Sequence, residues 1–149
     1  GWLSRFMKRV PVFPVPGSGR YMRQPLYAGD FCEIIASCLA KQTRGGAFNI
    51  SGHEEIDYID MIREIKKAVG SRAAIVRIPY SVFYALLWIW ALFDRSPPFT
   101  TQQLSALVAG DEFEVIDWPG IFGVNSTPFA KEIDETFNHP VYSRVVLDF

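Results

Sequence analysis

Arg23-Gln24-Pro25-Leu26-Tyr27-Ala28-Gly29-Asp30 is the stretch on which the reading of this chain turns. It is an extended run that ends at Gly29-Asp30 and gives way at once to a helix. Asp30 followed by Glu33 is a capping-box variant, in which the Asp carboxylate is expected to accept from orphan amides of the first turn. The helix is expected to run to about Gln42, with Phe31, Ile34, Ile35, Cys38 and Leu39 on one apolar stripe. Upstream, Gly17-Ser18-Gly19-Arg20 reads as a tight turn. It is no phosphate loop, because a third glycine, a following Lys-Ser/Thr and the strand-to-helix context are all missing. Downstream, Ala47-Phe48-Asn49-Ile50-Ser51-Gly52 reads as a short buried strand that leaves through a glycine turn.

The rest of the chain extends this alternation of short extended pieces and helices. Residues 2–10 read as the last turns of a helix, and Pro11, Pro14 and Pro16 then force an extended run through Val12-Phe13-Pro14-Val15. Asp57 and Asp60 open a second helix striped by Ile56, Ile59, Ile62, Ile65 and Val69, stopped at Gly70. Its solvated face is Arg63, Glu64, Lys66 and Lys67. Ala74-Ile75-Val76-Arg77-Ile78 alternates as a short strand closed by Pro79. Tyr80–Phe93 is then apolar on every side, so water cannot be its only outer neighbour. About fourteen helical residues rise roughly 21 Å, short of a bilayer core, which argues against a spanning segment. Beyond Pro97-Pro98, Thr100 with Gln103 is a capping box for a short helix ending near Gly110. Phe113, Val115 and Trp118 suggest a brief extended piece. Thr127-Pro128 reads as an N-cap with proline at the first helical position, opening a helix striped by Phe129, Ile133 and Phe137. Residues 141–149 form a tail.

Composition narrows the function classes. With 49% hydrophobic and 15% aromatic residues in 149, the chain has the means to bury a core and is expected to form one domain. The formal charge is −1, from 15 Lys and Arg against 16 Asp and Glu, and the basic residues are scattered, which argues against a nucleic-acid surface. Cys32 and Cys38 lie on different faces of one helix and read as reduced core thiols rather than a disulfide or metal pair. No signal peptide opens the chain, so a cytoplasmic location is the default. His53 and His139 fall beside helix ends, where capping or exposure explains them. Glu54, Glu55, Asp57 and Asp60 gather at one helix start, where the macrodipole accounts for acids without a metal.

The order of turn, arginine segment, helix, Asn-containing strand, glycine turn and helix resembles the later half of the extended short-chain dehydrogenase/reductase family, the NAD-dependent epimerases and dehydratases. Gly17, Gly19, Arg23, Leu26, Ala28, Asp30, Phe48, Asn49, Ile50 and Gly52 occupy the positions of that pattern. Ile78-Pro79, the Tyr80–Phe93 helix, Phe122-Gly123 and Thr127-Pro128-Phe129 look like its later parts. Gln24-Pro25 beside Arg23 is more similar to the atypical branch of the family. The resemblance implies a helix-rich α/β fold with a few short strands: the substrate-binding C-terminal region, lacking the N-terminal Rossmann half.

The same resemblance implies that a longer parent would bind NAD(P) and a nucleotide sugar or related small molecule. Arg23, and after it Arg20 and Arg77, would then contact the diphosphate through the fixed donor fork of the guanidinium. Two family motifs are absent from these residues, the G-x-x-G-x-x-G fingerprint and Tyr-x-x-x-Lys, in which the Lys lowers the pKa of a catalytic phenol. The chain is therefore expected to hold no cofactor, metal or catalytic residue of its own. Its expected partners are a Rossmann half and, through surface left bare without it, a second copy. The alternative is a non-catalytic interaction module of the same fold, docking on a protein or membrane surface through Tyr80–Phe93.

Overall fold

The computed structural model describes residues 2–41, 46–94, 99–110 and 113–141. Its elements in chain order are α1 (Trp2–Arg9), β1 (Val12–Pro16), β2 (Met22–Arg23), α2 (Ala28–Ala40), β3 (Ile56–Asp57), α3 (Tyr58–Ala68), β4 (Ala74–Ile78), α4 (Tyr80–Phe93), α5 (Thr101–Ala109), α6 (Trp118–Phe122) and α7 (Phe129–Asn138). They form a helix-rich α/β arrangement in two units. Unit 1 takes Gly1–Met22, Asp57–Asp111 and Val146–Phe149, and unit 2 takes Arg23–Ile56 and Glu112–Val145.

In unit 1 the proline-punctuated β1 pairs in parallel with β4, Val12 opposite Ala74 through Pro16 opposite Ile78. Among the described residues β1 is paired on one side only, so the missing N–H of a proline there breaks no second ladder. The strand then leaves through Gly17 and Gly19, both at positive φ. At Gly19 a Cβ would come within 2.7 Å of Val15 and 2.9 Å of Ile59, so glycine is required by space as well as by φ. The close approach lets the Ile59 amide donate to the Gly19 carbonyl at 3.0 Å. Met7, Phe13, Val15, Ile59, Ile62 and Leu104 are buried in unit 1, and Tyr21 stacks on Tyr58. The Thr100–Gln103 capping box starts α5 as expected.

Unit 2 is built on Ile34, Trp118, Phe122 and Val124, with Leu26, Cys38, Ile50 and Ile116 packed against them. Several expectations are corrected here. α2 begins at Ala28, three residues before the expected Phe31, and Asp30 lies inside its first turn instead of capping it. Of the α2 stripe only Ile34 is buried, while Phe31, Ile35 and Leu39 are exposed. Cys32 is exposed rather than a core thiol. Residues 47–50 are no strand: extended backbone needs a paired neighbour to count as sheet, and Phe48 is exposed. Trp118 is not in an extended piece but opens α6, where the Asp117 carboxylate accepts from the Gly120 amide and Pro119 stands in the first turn. The helix after Thr127 starts at Phe129, with Pro128 as its cap residue. The expected ends at Gln42 and in the 142–149 tail lie outside the described residues.

Candidate functional site

Unit 2 gathers three carboxylates from distant parts of the sequence. Asp30, in the first turn of α2, accepts from the Thr127 backbone amide at 2.7 Å and from the Thr127 hydroxyl at 2.6 Å. Glu54 reaches the start of α7, where its Oε2 accepts from the Phe129 amide at 2.8 Å. That amide is one of the orphan donors of a helix N-terminus, and Pro128 has no side-chain oxygen to satisfy it. Glu54 thus serves α7, not the α3 start to which its sequence neighbours pointed. Glu132 lies one turn inside α7, its side chain buried. Burial, followed by the charges of Asp30 and Glu54, pushes its carboxyl up from the ordinary 4.5 to about 7. Asp30 ties the α2 start to Thr127, and Glu54 ties its own segment to the α7 start. Every described bond to Asp30 and Glu54 goes to backbone or to Thr127.

The same unit holds two further clasps. The Gln24 side chain bonds the backbone of Phe113 in both directions, accepting from its amide at 2.8 Å and donating to its carbonyl at 3.3 Å. The Trp118 indole N–H donates to the Ser51 carbonyl at 2.9 Å inside the core. Glycine at 52 is dictated by the neighbouring segment, since a Cβ there would sit 1.7 Å from the Pro25 carbonyl oxygen. His53 is exposed and lays its ring edge against Trp118, and the His139 Nδ1 accepts from the Val141 amide. Among the described residues no group of three His, Cys, Asp or Glu has the arrangement of a metal site.

The three arginines singled out in the sequence fall in different places. Arg23 belongs to β2 in unit 2, half-buried and engaged. Arg20 is exposed just after the Gly19 turn of unit 1. Arg77, exposed on β4 opposite Val15, lines a groove of about 990 Å³ with Arg63, Lys66 and Lys67 of α3. This groove brings four cations of unit 1 to one surface. Its helix residues are partly matched by their own neighbours: Arg63 pairs with Asp60 at 2.6 Å and Lys67 with Glu64 at 3.9 Å. Both pairs are exposed, where such contacts hold weakly and yield readily to a better anion. Lys66 and Lys67 also complement the carbonyl end of α3. Sequence reading placed the α3 cations on a plain solvated face; the signal it lacked was Arg77 arriving beside them through the β1–β4 register.

No family model matches the chain. Two curated relatives do, both described as dTDP-glucose 4,6-dehydratase, from Xanthomonas campestris pv. campestris strains B100 and ATCC 33913. Each is 36% identical over 52 residues, 35% of this chain and 15% of the relative. The chain therefore spans a small part of the relatives it matches. Over that stretch the similarity supports a relationship at the level of the epimerase/dehydratase family.

Proposed function

We propose that this chain is the substrate-side part of an NAD(P)-dependent nucleotide-sugar epimerase/dehydratase-like protein and is not catalytic by itself. The observation that carries this reading is the stretch of 36% identity to a dTDP-glucose 4,6-dehydratase. The basic groove adds to it: its size suits a diphosphate-bearing ligand, and its guanidinium can bind phosphate oxygens in pairs. Of the three arginines expected at the diphosphate, Arg77 lines this groove and Arg20 and Arg23 do not; in the parent protein the site is completed by a nucleotide-binding Rossmann half. NAD(P) belongs to that half, which the parent protein supplies, and a second copy of the chain is a further partner.

Calorimetric titration tests the reading. NAD and NADP should give flat traces, because no described helix start here offers the glycine-rich turn that seats a pyrophosphate. dTDP-glucose should bind saturably, and Arg77→Ala should weaken it at least tenfold, about 1.4 kcal/mol. Micromolar binding of NAD, or dTDP-glucose affinity unchanged by Arg77→Ala and by Arg23→Ala, would overturn it. The second reading, an interaction module, is favoured by one observation: α4 has no buried residue.

A further inference from the structure

α4 is apolar on three stripes, and unit 1 occupies one of them. Phe83, Leu87 and Trp90 face a narrow apolar groove shared with Phe6 of α1 and Phe13 of β1. Val82, Leu86, Ile89 and Phe93, at i, i+4, i+7 and i+11, form an outward stripe that is 48%, 55%, 47% and 87% exposed. Trp88 and Leu92 continue it on the adjoining face at 56% and 64%. A helix seated in a protein groove is held by one stripe of anchors at such spacings. Two adjoining bare stripes need a surrounding that is itself apolar and conforms to them.

Charge says which surrounding that is. The segments of unit 1 contain ten Lys and Arg against six Asp and Glu, whereas those of unit 2 contain five against ten. An acidic chain overall thus keeps its positive excess in the unit that bears α4. Three of those cations, Arg5, Lys8 and Arg9, are exposed on α1, the helix that shares the apolar groove with α4, and Arg77 stands three residues before α4 begins. Bare apolar helix beside unbalanced positive charge is the combination that binds anionic membranes. The aromatic content agrees, since Trp88, on the adjoining bare face, is a side-chain type enriched where hydrocarbon meets headgroups. Among the described residues no helix is long and apolar enough to cross a membrane, so α4 can only lie along one.

We propose that unit 1 docks on an anionic phospholipid surface through α4, which lies in the bilayer plane with Val82, Leu86, Ile89 and Phe93 among the acyl chains. The proposal deepens the interaction-module reading and is independent of sugar-nucleotide binding, which titration measures without lipid. Flotation with vesicles of phosphatidylcholine alone and of phosphatidylcholine mixed with phosphatidylglycerol tests it. The chain should float with the mixed vesicles at least about tenfold more tightly than with the neutral ones, with salt weakening the binding and tryptophan emission shifting to the blue. Leu86→Glu with Ile89→Glu should abolish flotation at an unchanged urea midpoint, because both side chains are already half in water. Leu92→Glu, on the adjoining stripe, provides the same readout should the double variant misfold. Arg5→Glu with Lys8→Glu and Arg9→Glu should remove the preference for phosphatidylglycerol. Failure to float with either vesicle, flotation unaffected by the α4 variants, or a discrete soluble complex that the α4 variants dissolve in place of flotation would overturn the proposal.

Discussion

Glu132 is a carboxyl that burial, Asp30 and Glu54 push up to about 7, at a helix start where the macrodipole favours the charged form. Desolvation and like charge win there. The sign of the stability effect follows. The folded chain holds a proton that the unfolded chain releases above pH 4.5, so stability is full below that value, falls as pH rises toward 7, and stays at the lower level beyond. Glu132→Gln should remove that fall. Its urea-derived stability should exceed the parent's at pH 8 by roughly 2 kcal/mol and match it at pH 4. A variant no more stable than the parent at pH 8 would mean that Glu132 is ionised without cost. None of this was legible in the sequence, where Asp30, Glu54 and Glu132 are widely separated and each looks like an ordinary acid near a helix start. What could be read was that Asp30 matters. Its role could not, because its partner Thr127 lies 97 residues away.

At the scale of elements, the legible pieces were those whose signal is local. β4 and α4 fall at the residues expected of them, because alternation ended by Pro79 and an unbroken apolar run each announce their own limits. The Thr100 capping box likewise needs only residues within one turn. Misread pieces depended on distant neighbours. Residues 47–50 have strand-like composition, but a strand exists only with a partner, and the sequence cannot show whether one arrives. α6 did have a local signature in Asp117, Pro119 and Gly120, which the alternation of Phe113, Val115 and Trp118 obscured. Gly52 joins both levels. The sequence pattern marked it as a turn, yet the structure requires glycine for a different reason, the Pro25 carbonyl lying where a Cβ would be. Gly52→Ala must displace one of two backbone segments, and it should cost at least about 2 kcal/mol, read as a lowered urea midpoint. An alanine variant as stable as the parent would show that the 24–25 and 51–52 segments separate freely.

Among the described residues the chain passes between its two units three times, so neither unit is one continuous stretch. Unit 1 still keeps nearly all its parts within residues 1–110: β1 against β4, the Gly19–Ile59 approach, and the buried Met7, Phe13, Ile62 and Leu104. Unit 2 is assembled differently. Its first segment supplies Asp30, Ile34, Ser51 and Glu54, and its second supplies Thr127, Trp118, Phe122 and Phe129, the partners of that first set. Neither segment has a core alone. Trp118 is fully buried against residues from the other segment, and losing such a side chain costs about 3–5 kcal/mol before the lost hydrogen bonds are counted. A chain ended after Gly110 should therefore keep slow amide exchange in α1, β1, α3 and β4 while residues 28–40, the whole of α2, exchange freely. Trp118→Ala in the full-length chain should show the same division in milder form, with α2 and α7 losing protection first. Uniform loss of protection across both units in either protein would show that they fold as one cooperative body. Retained protection of α2 after truncation would show that Ile34 and its neighbours find a core without Trp118 and Phe122.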